Sequence, residues 1–447
     1  MPRLLVLAVA TAALALAAPG LAKAAPSRFD IGIQDPLEFP EQDPQGAYSA
    51  AKAEGVRFVR LPVTWSNIAR ERPNDPTNPN DPQYQWSLID GRLDAIRSRG
   101  MVPLLEIYAA PPWAHGSRLT ANVGDFASFV TAVARRYDGG ARPRVQYFQM
   151  WNEPNLKMFL DDSPARYRAL VNAGYKAVKA VHSDNIVIAG GLAPFSDPEN
   201  RYGIGPMPYM RSLLKGKISF DIWSHHPYTS GGPNHKAALE QEASIGDLPR
   251  MRKLLLSAYR AGKVGSHGAP GFWVTEFGWD TKPPDPGGVP LAQHARWVAE
   301  AMYRMWQSDV STMFWFKLRD DPFNGDWGAG FQGGMFLNTT ALYANEKRKP
   351  VADVLRFPFA AVPEGGRVSV WGRTPKSRAG KVTIEMAKGS SWISIAKVGA
   401  NSHGLFRLKL NGRRGARLRA RAAGSPASYP FSAVHTTDMP VRPFGGG

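Results

Sequence analysis

Short apolar runs alternate with amphipathic segments along the first 357 residues. Eight apolar runs have the length and β-prone composition of buried strands, at residues 29–33, 56–61, 102–108, 145–150, 185–189, 220–224, 271–276 and 312–317. Helical patterns mark seven segments, at residues 46–54, 84–99, 125–137, 164–182, 235–261, 291–307 and 349–355. Eight strands alternating with helices predict an α/β domain built as one (β/α)8 TIM barrel over residues 25–357. A doubly wound open sheet is the alternative, but no Gly-x-Gly-x-x-Gly motif follows the first strand.

The pattern changes after residue 357. Residues 358–366 are rich in Pro and Gly and predict a linker. Six short alternating runs follow, separated by turn residues, at 367–371, 381–385, 392–395, 405–410, 416–420 and 431–434. This spacing predicts a small all-β domain, an immunoglobulin-like sandwich, over residues 367–435, and residues 436–447 are predicted to be a tail.

The N-terminus has the three parts of a secretory signal peptide. Arg3 gives a basic start, residues 4–18 are apolar, and Ala22-Lys23-Ala24 has the small-x-small pattern of a cleavage site. The apolar run is shorter than the roughly 20 residues that a membrane span needs. We therefore predict that residues 1–24 are removed and that the mature protein is secreted without a membrane span; an uncleaved anchor is the alternative.

Composition narrows the chemistry. The 447 residues include no cysteine, which excludes disulfides, thiolate metal sites and cysteine nucleophiles. The formal net charge of +18 is uneven, because residues 360–447 hold 15 Lys and Arg against 3 Asp and Glu, or +12. The other 359 residues therefore carry only +6, so basicity belongs to the C-terminal domain.

The densest basic cluster covers residues 413–421. In a strand, Arg417, Arg419 and Arg421 would share one face. We predict that the C-terminal domain binds an anionic wall polymer or an acidic polysaccharide; a solvated face is the alternative. Stacking of a neutral sugar on Trp371 or Trp392 is a further possibility. Nucleic acid is not an expected partner of an exported protein whose arginines have no interleaved aromatic residues.

Two glutamates end predicted strands of the barrel. Trp151-Asn152-Glu153-Pro154 closes the fourth strand, and Thr275-Glu276-Phe277-Gly278 closes the seventh. A buried carboxylate is costly unless it has a partner or a chemical role, and active sites of such barrels lie at the C-terminal strand ends. The motifs therefore predict two carboxyl groups in one cleft. Two structural carboxylates, each bound to an arginine, are the alternative.

These motifs resemble those of glycoside hydrolase clan A, the (β/α)8 clan that includes the cellulase-like family 5 and the β-xylosidase-like family 39. The resemblance covers roughly residues 29–356. It implies a retaining β-glycosidase that acts on a carbohydrate, with Glu276 as nucleophile and Glu153 as acid/base. No cofactor is expected.

Four further residues take roles from the same resemblance. Asn152 is expected to bond the sugar 2-hydroxyl, and Arg60, at the end of the second strand, to hold the nucleophile ionised. Tyr228 is expected to face the nucleophile and His226 the sugar. A turn-forming Asn152 and a surface Arg60 are the alternatives.

Four tryptophans fall at or just after strand ends: Trp65, Trp113, Trp279 and Trp315. Indole rings stack on the flat C–H faces of sugars, and the resemblance puts Trp315 at the matching position of the eighth strand, so Trp315 is predicted to be the sugar platform. Trp65 and Trp113 are predicted as further substrate contacts. Core packing is the alternative for each of them.

Adjacent His225 and His226 suggest a metal site as an alternative. Neighbours on a strand point to opposite faces, and no other ligands stand at zinc spacing, so no metal ligand is predicted. Two other functions fit the same scaffold. An inactive carbohydrate-binding protein is disfavoured because both glutamates, Asn152 and Arg60 are present, and a transglycosylase would keep the same residues.

Overall fold

The computed structural model describes residues 25–36, 44–114, 120–161, 163–196, 199 and 201–436. The predicted signal peptide lies outside this part of the chain, and so does the predicted tail except Thr436. No helix in the described part combines the length and the hydropathy of a membrane span.

Eight parallel strands close into a barrel in which each strand pairs with its neighbours in chain order and β1 pairs with β8. The strands are β1 (Asp30–Gln34), β2 (Phe58–Thr64), β3 (Val102–Tyr108), β4 (Tyr147–Met150), β5 (Ile186–Leu192), β6 (Ile222–His225), β7 (Gly271–Val274) and β8 (Thr312–Phe316). All eight overlap the predicted strands. Closure between β1 and β8 confirms the barrel and excludes the open sheet.

Nine α-helices occur in the described residues: α1 (Pro44–Ala53), α2 (Trp65–Ile68), α3 (Ser87–Ser98), α4 (Val123–Arg136), α5 (Pro164–Val181), α6 (Pro206–Leu213), α7 (Leu248–Arg260), α8 (Leu291–Gln307) and α9 (Pro350–Arg356). Short 3-10 turns lie at Pro112–Ala114, Ile245–Asp247, Trp327–Ala329 and Tyr343–Asn345. Two pairs of two-residue strands lie outside the barrel, Ile218–Ser219 with Val264–Gly265 and Thr281–Lys282 with Val289–Pro290.

The helix predicted over 235–261 is wrong in its first part, because only Leu248–Arg260 is α-helical. The carboxylate of Asp247 accepts hydrogen bonds from the backbone N–H groups of Ala237 (2.8 Å) and Ser244 (3.1 Å), which ties the preceding segment into a loop. Helix α6 was not predicted, since its eight residues include two prolines. Both prolines lie within the first three residues of the helix, where a missing N–H costs little.

Inward-facing side chains form two layers in the barrel. The lower layer is an apolar cluster: Phe58, Leu104, Ile188, Ile222, Trp273 and Phe314. Side chains alternate along a strand, so the residue two positions later faces inward again. At that upper level the strands present mostly polar groups: Gln34, Arg60, Glu106, Gln149 and Phe316. The apolar layer therefore supports a polar layer at the C-terminal strand ends.

The chain continues into two antiparallel sheets, which confirms the predicted all-β sandwich. Its strands are β9 (Phe359–Glu364), β10 (Arg367–Arg373), β11 (Gly380–Lys388), β12 (Ser391–Ala400), β13 (Leu405–Asn411), β14 (Arg417–Ala422) and β15 (Phe431–Ser432). One sheet has the order β9-β10-β13, and the other β12-β11-β14-β15.

The predicted linker at 358–366 is wrong, because most of it is the buried strand β9. Strand β9 pairs with β10 through a two-residue turn in which Gly365 (φ 52°) and Gly366 (φ 83°) adopt the left-handed conformation. Pro363 is tolerated because β9 is an edge strand of its sheet.

The sandwich packs on helix α8 and on the segment before β1. Trp371 of β10 is 1% exposed, with its ring 5.4 Å from that of Phe29, 6.0 Å from Trp306 and 6.1 Å from Tyr303. The Tyr303 hydroxyl donates to Glu364 of β9 (3.0 Å). Trp371 is therefore part of the domain interface, and it presents no ring face to a sugar.

Candidate active site

Arg60 is fully buried at the centre of the polar layer, and all five of its N–H groups meet side-chain acceptors. These acceptors come from β1, β3, β4 and the loops after β4 and β7. Nη1 donates to Gln34 and Glu276 (2.5 Å to the latter), Nη2 to Glu106 and Asn152 (2.9 Å to the latter), and Nε to Gln149 (3.2 Å). The guanidinium is thus fixed in position and orientation.

Glu153 and Glu276 face each other above this layer. One carboxylate oxygen of each, together with Nδ1 of His226, lies within 4.8 Å of the others. The Tyr228 hydroxyl donates to Oε2 of Glu276 (3.1 Å), and Nδ1 of His226 lies 2.9 Å from Oε1 of Glu153. Paired carboxyl groups lie about 5–5.5 Å apart in retaining glycosidases and about 6.5–9.5 Å apart in inverting ones. The separation between one oxygen of each carboxyl group is below 4.8 Å here, which is nearer to the first range than to the second.

The backbone around Glu153 takes an unusual path. Trp151 (φ 70°) and Glu153 (φ 36°) both have positive φ, which costs a residue with a Cβ about 1–3 kcal/mol. Hydrogen bonds hold this turn: Glu153 N–H donates to the carbonyl of Gly191 (3.1 Å) and Trp151 N–H to that of Ile107 (2.9 Å). The turn directs the Glu153 carboxyl into the barrel mouth.

Burial raises the pKa of Glu153 well above its usual value. The negative charges of Glu276 and Glu106 add to the rise, and the nearby Arg60 opposes it. Glu153 is therefore the member of the pair that carries a proton near neutral pH. Glu276 instead accepts one charge-assisted hydrogen bond from Arg60 and one hydrogen bond from the Tyr228 hydroxyl.

His226 and Tyr228 are both neutral in this site. Burial, with the positive charge of Arg60, lowers the pKa of His226 well below its usual value. Burial and the charges of Glu276 and Glu153 raise the pKa of Tyr228 far above 10. Nε2 of His226 contacts Oγ1 of Thr275 (3.0 Å), which orients the ring toward Glu153.

His225 points away from the site, as the alternation along β6 predicts. Its Nε2 donates to the carbonyl of Ala243 (2.8 Å) outside the barrel. Burial lowers its pKa to about 4, so it is neutral. The two histidines therefore do not face one common ligand.

Three of the four tryptophans singled out from the sequence are buried and present no ring face to a sugar. Trp315 is fully buried and bonds the carbonyl of Gly333 (3.0 Å), so its prediction as the sugar platform is wrong in this structure. Trp65 is fully buried and stacks on an aromatic ring of helix α4, with the two ring centres 5.1 Å apart. The side chain of Trp279 is 3% exposed. Trp113 is partly exposed, but Arg72 covers its ring at 4.9 Å. Core packing, the alternative interpretation, describes Trp65, Trp279 and Trp315, and Trp113 stays a prediction.

An aromatic wall lies beside Glu276, and two of its three rings were not predicted from the sequence. It consists of Phe316, which follows Trp315 and so faces inward, together with Tyr228 and Phe331. The rings of Phe316 and Phe331 lie 5.3 Å apart, and each lies 6.3 Å from that of Tyr228. A Cβ on Gly278 would lie 2.6 Å from the Phe331 ring, so this glycine makes room for it.

Phe331 stands at the base of an excursion that follows β8. Asp321 N–H donates to the Phe331 carbonyl (3.0 Å), and Phe331 N–H donates to the Asp321 carboxylate (2.8 Å). Between them, Phe323 and Trp327 have ring centroids 4.4 Å apart, and Phe323 is 59% exposed. We call these two rings the outer aromatic pair.

A second charged surface lies on the sandwich. Strand β14 presents Arg417, Arg419 and Arg421 on its outer side, while the intervening side chains are buried, as the alternation predicted. Lys397 of β12 lies in the same cross-strand row as Arg421 and joins this group of cations. We call these four cations the cationic face. Glu385 accepts from Nε of Arg419 (2.6 Å) and of Arg421 (2.9 Å) and is the one acidic residue of 367–436.

Trp392 lies beneath this face. The Arg419 guanidinium lies 4.1 Å from the centre of its ring, and that of Arg417 lies at 5.8 Å. The ring is therefore engaged in cation–π contacts within the domain. Since Trp371 is also buried, stacking of a neutral sugar has little support here.

Comparison with known proteins gives one family match. The family model described as Cellulase (glycosyl hydrolase family 5) matches residues 38–315. A search of curated protein sequences found no match.

Several solved structures share the fold. A family 39 glycoside hydrolase from Bacteroides cellulosilyticus WH2 gives a TM-score of 0.58 at 16% identity, over 86% of this chain and 80% of its own. A monomeric beta-xylosidase from Caulobacter crescentus CB15 gives 0.54 at 17%, over 87% and 97%. A GH39 enzyme from Xanthomonas axonopodis pv. citri gives 0.51 at 16%, over 86% and 93%. At these sequence identities, the similarity to the solved structures shows a shared fold.

Proposed function

Because the chain belongs to glycosyl hydrolase family 5, we propose that it is an exported, retaining hydrolase that cleaves the glycosidic bonds of a β-linked oligo- or polysaccharide. The observation that carries this proposal is the asymmetry between two close carboxyl groups. Arg60 donates to Oε1 of Glu276 and Tyr228 donates to Oε2, while burial raises the pKa of Glu153 and favours its protonated form. A nucleophile and an acid of this kind are what a double displacement requires.

In the first half of the reaction, Glu276 attacks the anomeric carbon while Glu153 gives its proton to the glycosidic oxygen. The C–O bond to the leaving group breaks, and an ester forms between the sugar and Glu276. The leaving alcohol departs neutral, so no alkoxide is released. Arg60 holds Oε1 of Glu276. The other oxygen, Oε2, accepts a hydrogen bond from Tyr228 and is the atom that attacks the anomeric carbon.

In the second half, water replaces the leaving alcohol. Esterification removes the negative charge of Glu276, so the pKa of Glu153 falls and its carboxylate accepts a proton from water. The oxygen of that water attacks the anomeric carbon, and Glu276 leaves as a carboxylate. Two inversions restore the original configuration, and Glu153 is protonated again.

Asn152 supplies the hydrogen-bond donor that this proposal assigns to the sugar. Its Oδ1 accepts from Nη2 of Arg60 (2.9 Å), which fixes the amide and leaves its NH2 group to donate. We assign this donor to the sugar 2-hydroxyl, and the aromatic wall of Phe316, Phe331 and Tyr228 to the C–H face of the ring. His226 holds the Glu153 carboxyl group in place through Nδ1, which lies 2.9 Å from Oε1.

Proton NMR of the first product tests this proposal. An aryl β-glycoside should release a β-configured sugar before mutarotation, whereas direct attack by water would release the α-anomer. A first-formed α-product would overturn the double displacement. The absence of any cleavage across a panel of aryl β-glycosides and β-glycans would overturn the hydrolase itself.

We further propose that the sandwich holds the enzyme to an anionic polymer, either of a cell wall or of an acidic polysaccharide. Its cationic face carries four cations beside one carboxylate, and residues 360–447 carry +12 of the +18 net charge. Export of the chain, which such a partner requires, is proposed from residues 1–24, and detection of the mature protein in a culture medium tests it.

A further inference from the structure

A third carboxyl group lies in the site and has no role in the two half-reactions. Glu106 is on β3, is 1% exposed, and contacts Nη2 of Arg60 through Oε1. It occupies the inward position two residues after Leu104, so the alternation of β3 places it in the polar layer. A glutamate at this depth is costly unless it is paired or neutral.

The single positive charge of Arg60 cannot neutralise all the carboxyl groups around it. Its single positive charge faces Glu106 and Glu276 directly, and Glu153 lies close by. If all three were ionised, the buried site would carry a net charge of −2. Neutrality requires that two of the three hold protons, and Glu276 is the one that must be anionic for attack.

We propose that Glu106 is a positioning residue that works in its neutral form, so that the charge and the fixed plane of Arg60 serve Glu276. When Glu106 ionises, Arg60 is shared between two carboxylates, and the hold on Glu276 weakens. The inference rests on the proposed function, because it concerns the nucleophile of that reaction. Burial raises the pKa of Glu106 to about 8 against the opposing charge of Arg60, with Glu276 adding to the rise.

The titration of Glu106 is shaped by groups from several elements. Besides Arg60 on β2, the charged and titratable groups that face it are Glu153, Glu276, Tyr108 and Tyr167. Burial raises the pKa of both tyrosines, so they are neutral over the relevant range. Changes in pH between about 6 and 9 therefore act here through the carboxyl groups.

The test uses an aryl glycoside with a dinitrophenolate leaving group, measured as kcat/KM against pH. This leaving group needs no proton from Glu153. The fall of kcat/KM on the alkaline side of the profile, the alkaline limb, therefore reports the ionisation of groups around Glu276. The wild type should lose activity near pH 8. Glu106→Gln stays neutral and still accepts from Arg60, so it should keep activity within about threefold at pH 6 and move the limb upward by at least about one unit.

The direction of the shift separates this proposal from a purely structural role. If the limb belonged to Glu153, removing the negative charge of Glu106 would lower the pKa of Glu153 and move the limb downward. A downward shift or an unchanged limb would overturn the proposal. Asp320→Asn is the matched control, because Asp320 is also buried with its pKa raised to about 7, but it pairs with Lys349.

A second substitution removes the acceptor altogether. Glu106→Leu leaves an N–H of Arg60 unpaired, so kcat should fall by about 10²-fold with KM little changed. Wild-type kcat in a folded Glu106→Leu protein would contradict positioning. Should this variant fail to fold, the pH profile of Glu106→Gln decides alone.

Thermal unfolding keeps the inference testable if no substrate is cleaved. A carboxyl group whose pKa is raised in the folded state contributes stability below its unfolded pKa, and this contribution is lost as pH rises through about 8. Glu106→Gln lacks that loss, so its Tm relative to the wild type should increase from pH 5 to pH 9. A constant difference would show that Glu106 holds no proton in the folded protein.

Discussion

Arginines do different work in the barrel and on the sandwich. Arg60 is fully buried, and five side-chain acceptors from three strands and two loops fix its plane. Arg417 and Arg421 lie in solvent, and Arg421 shares Glu385 with Arg419. Buried charges act over short, fixed contacts that salt does not reach, whereas exposed ones act through a field that salt screens. Chemistry should therefore depend on geometry in the barrel, and binding should depend on ionic strength at the sandwich.

The largest effect is expected at the nucleophile. Glu276→Gln keeps the shape of the side chain but removes the attacking carboxylate, so turnover should fall by about 10⁴-fold or more with the fold intact. Steady-state rates on an aryl glycoside, together with circular dichroism, measure this. Near-normal rates would remove Glu276 from the mechanism.

Removal of the acid, Glu153, should lower the rate by a factor that depends on the leaving group. Glu153→Ala should lose about 10²–10⁴-fold on a substrate with a poor leaving group and far less on a dinitrophenyl glycoside. Azide should accelerate the variant on the activated substrate, because it attacks the glycosyl-enzyme without a general base, and a β-glycosyl azide should form. Equal losses on both substrates without azide rescue would contradict the role of Glu153.

The comparison of arginines is tested directly by the same change in both places. Arg60→Lys keeps the charge but supplies three donors where five are used, so kcat/KM should fall by about 10²–10³-fold, equally at low and high salt. Arg421→Lys is the matched control and should leave kcat/KM unchanged. A salt-dependent loss in Arg60→Lys would mean that its site is open to solvent.

On the sandwich, replacement of Arg417, Arg419 and Arg421 by Ser should weaken binding to polygalacturonate at least about tenfold at low salt. Wild-type binding should fall in the same way toward 1 M salt, where the screening length is about 3 Å. Rates on a small aryl glycoside should not change, and neutral dextran is the control polymer. Salt-insensitive binding would point to ring stacking, and no binding at all would leave the face merely solvated.

The smallest effect is expected at the outer aromatic pair. If the substrate is a chain that extends past the cleft, replacing Phe323 and Trp327 by Ala should lower kcat/KM on a β-glycan by about five- to tenfold, a loss of about 1–1.4 kcal/mol. An aryl monoglycoside should be cleaved at the same rate. Leu342→Ala, also on an exposed side chain (53%), is the control. Equal losses on both substrates would place the pair at the reacting sugar.

The barrel was predictable because two independent patterns agree. The apolar runs gave eight strands, and the motifs around Glu153 and Glu276 fell at the ends of the correct two. The strand-two Arg60 and the His226-x-Tyr228 pair were predicted from resemblance, and the structure brings all of them together.

The prediction of Trp315 as the sugar platform failed because it took the wrong face of β8 as the inward one. In β8 the inward residue is Phe316, two positions after Phe314, so the neighbouring Trp315 must face the helices. The same alternation, applied to β3, would have marked Glu106, a lone acidic residue in an apolar strand. Phe331 comes from a long excursion whose path depends on contacts of Asp321, and no local pattern predicts that.

The interface around Trp371 makes the sandwich part of the closure of the barrel. Phe29 immediately precedes β1, and Trp306 lies in the last turn of the helix before β8, so one side chain of the sandwich packs against residues that flank both strands of the closing pair. That pairing joins residues about 280 positions apart, a contact that forms slowly from a long open chain. We therefore expect the barrel to reach its full stability only after the sandwich has been synthesised. Equilibrium unfolding should accordingly be one cooperative transition, with equal calorimetric and van't Hoff enthalpies.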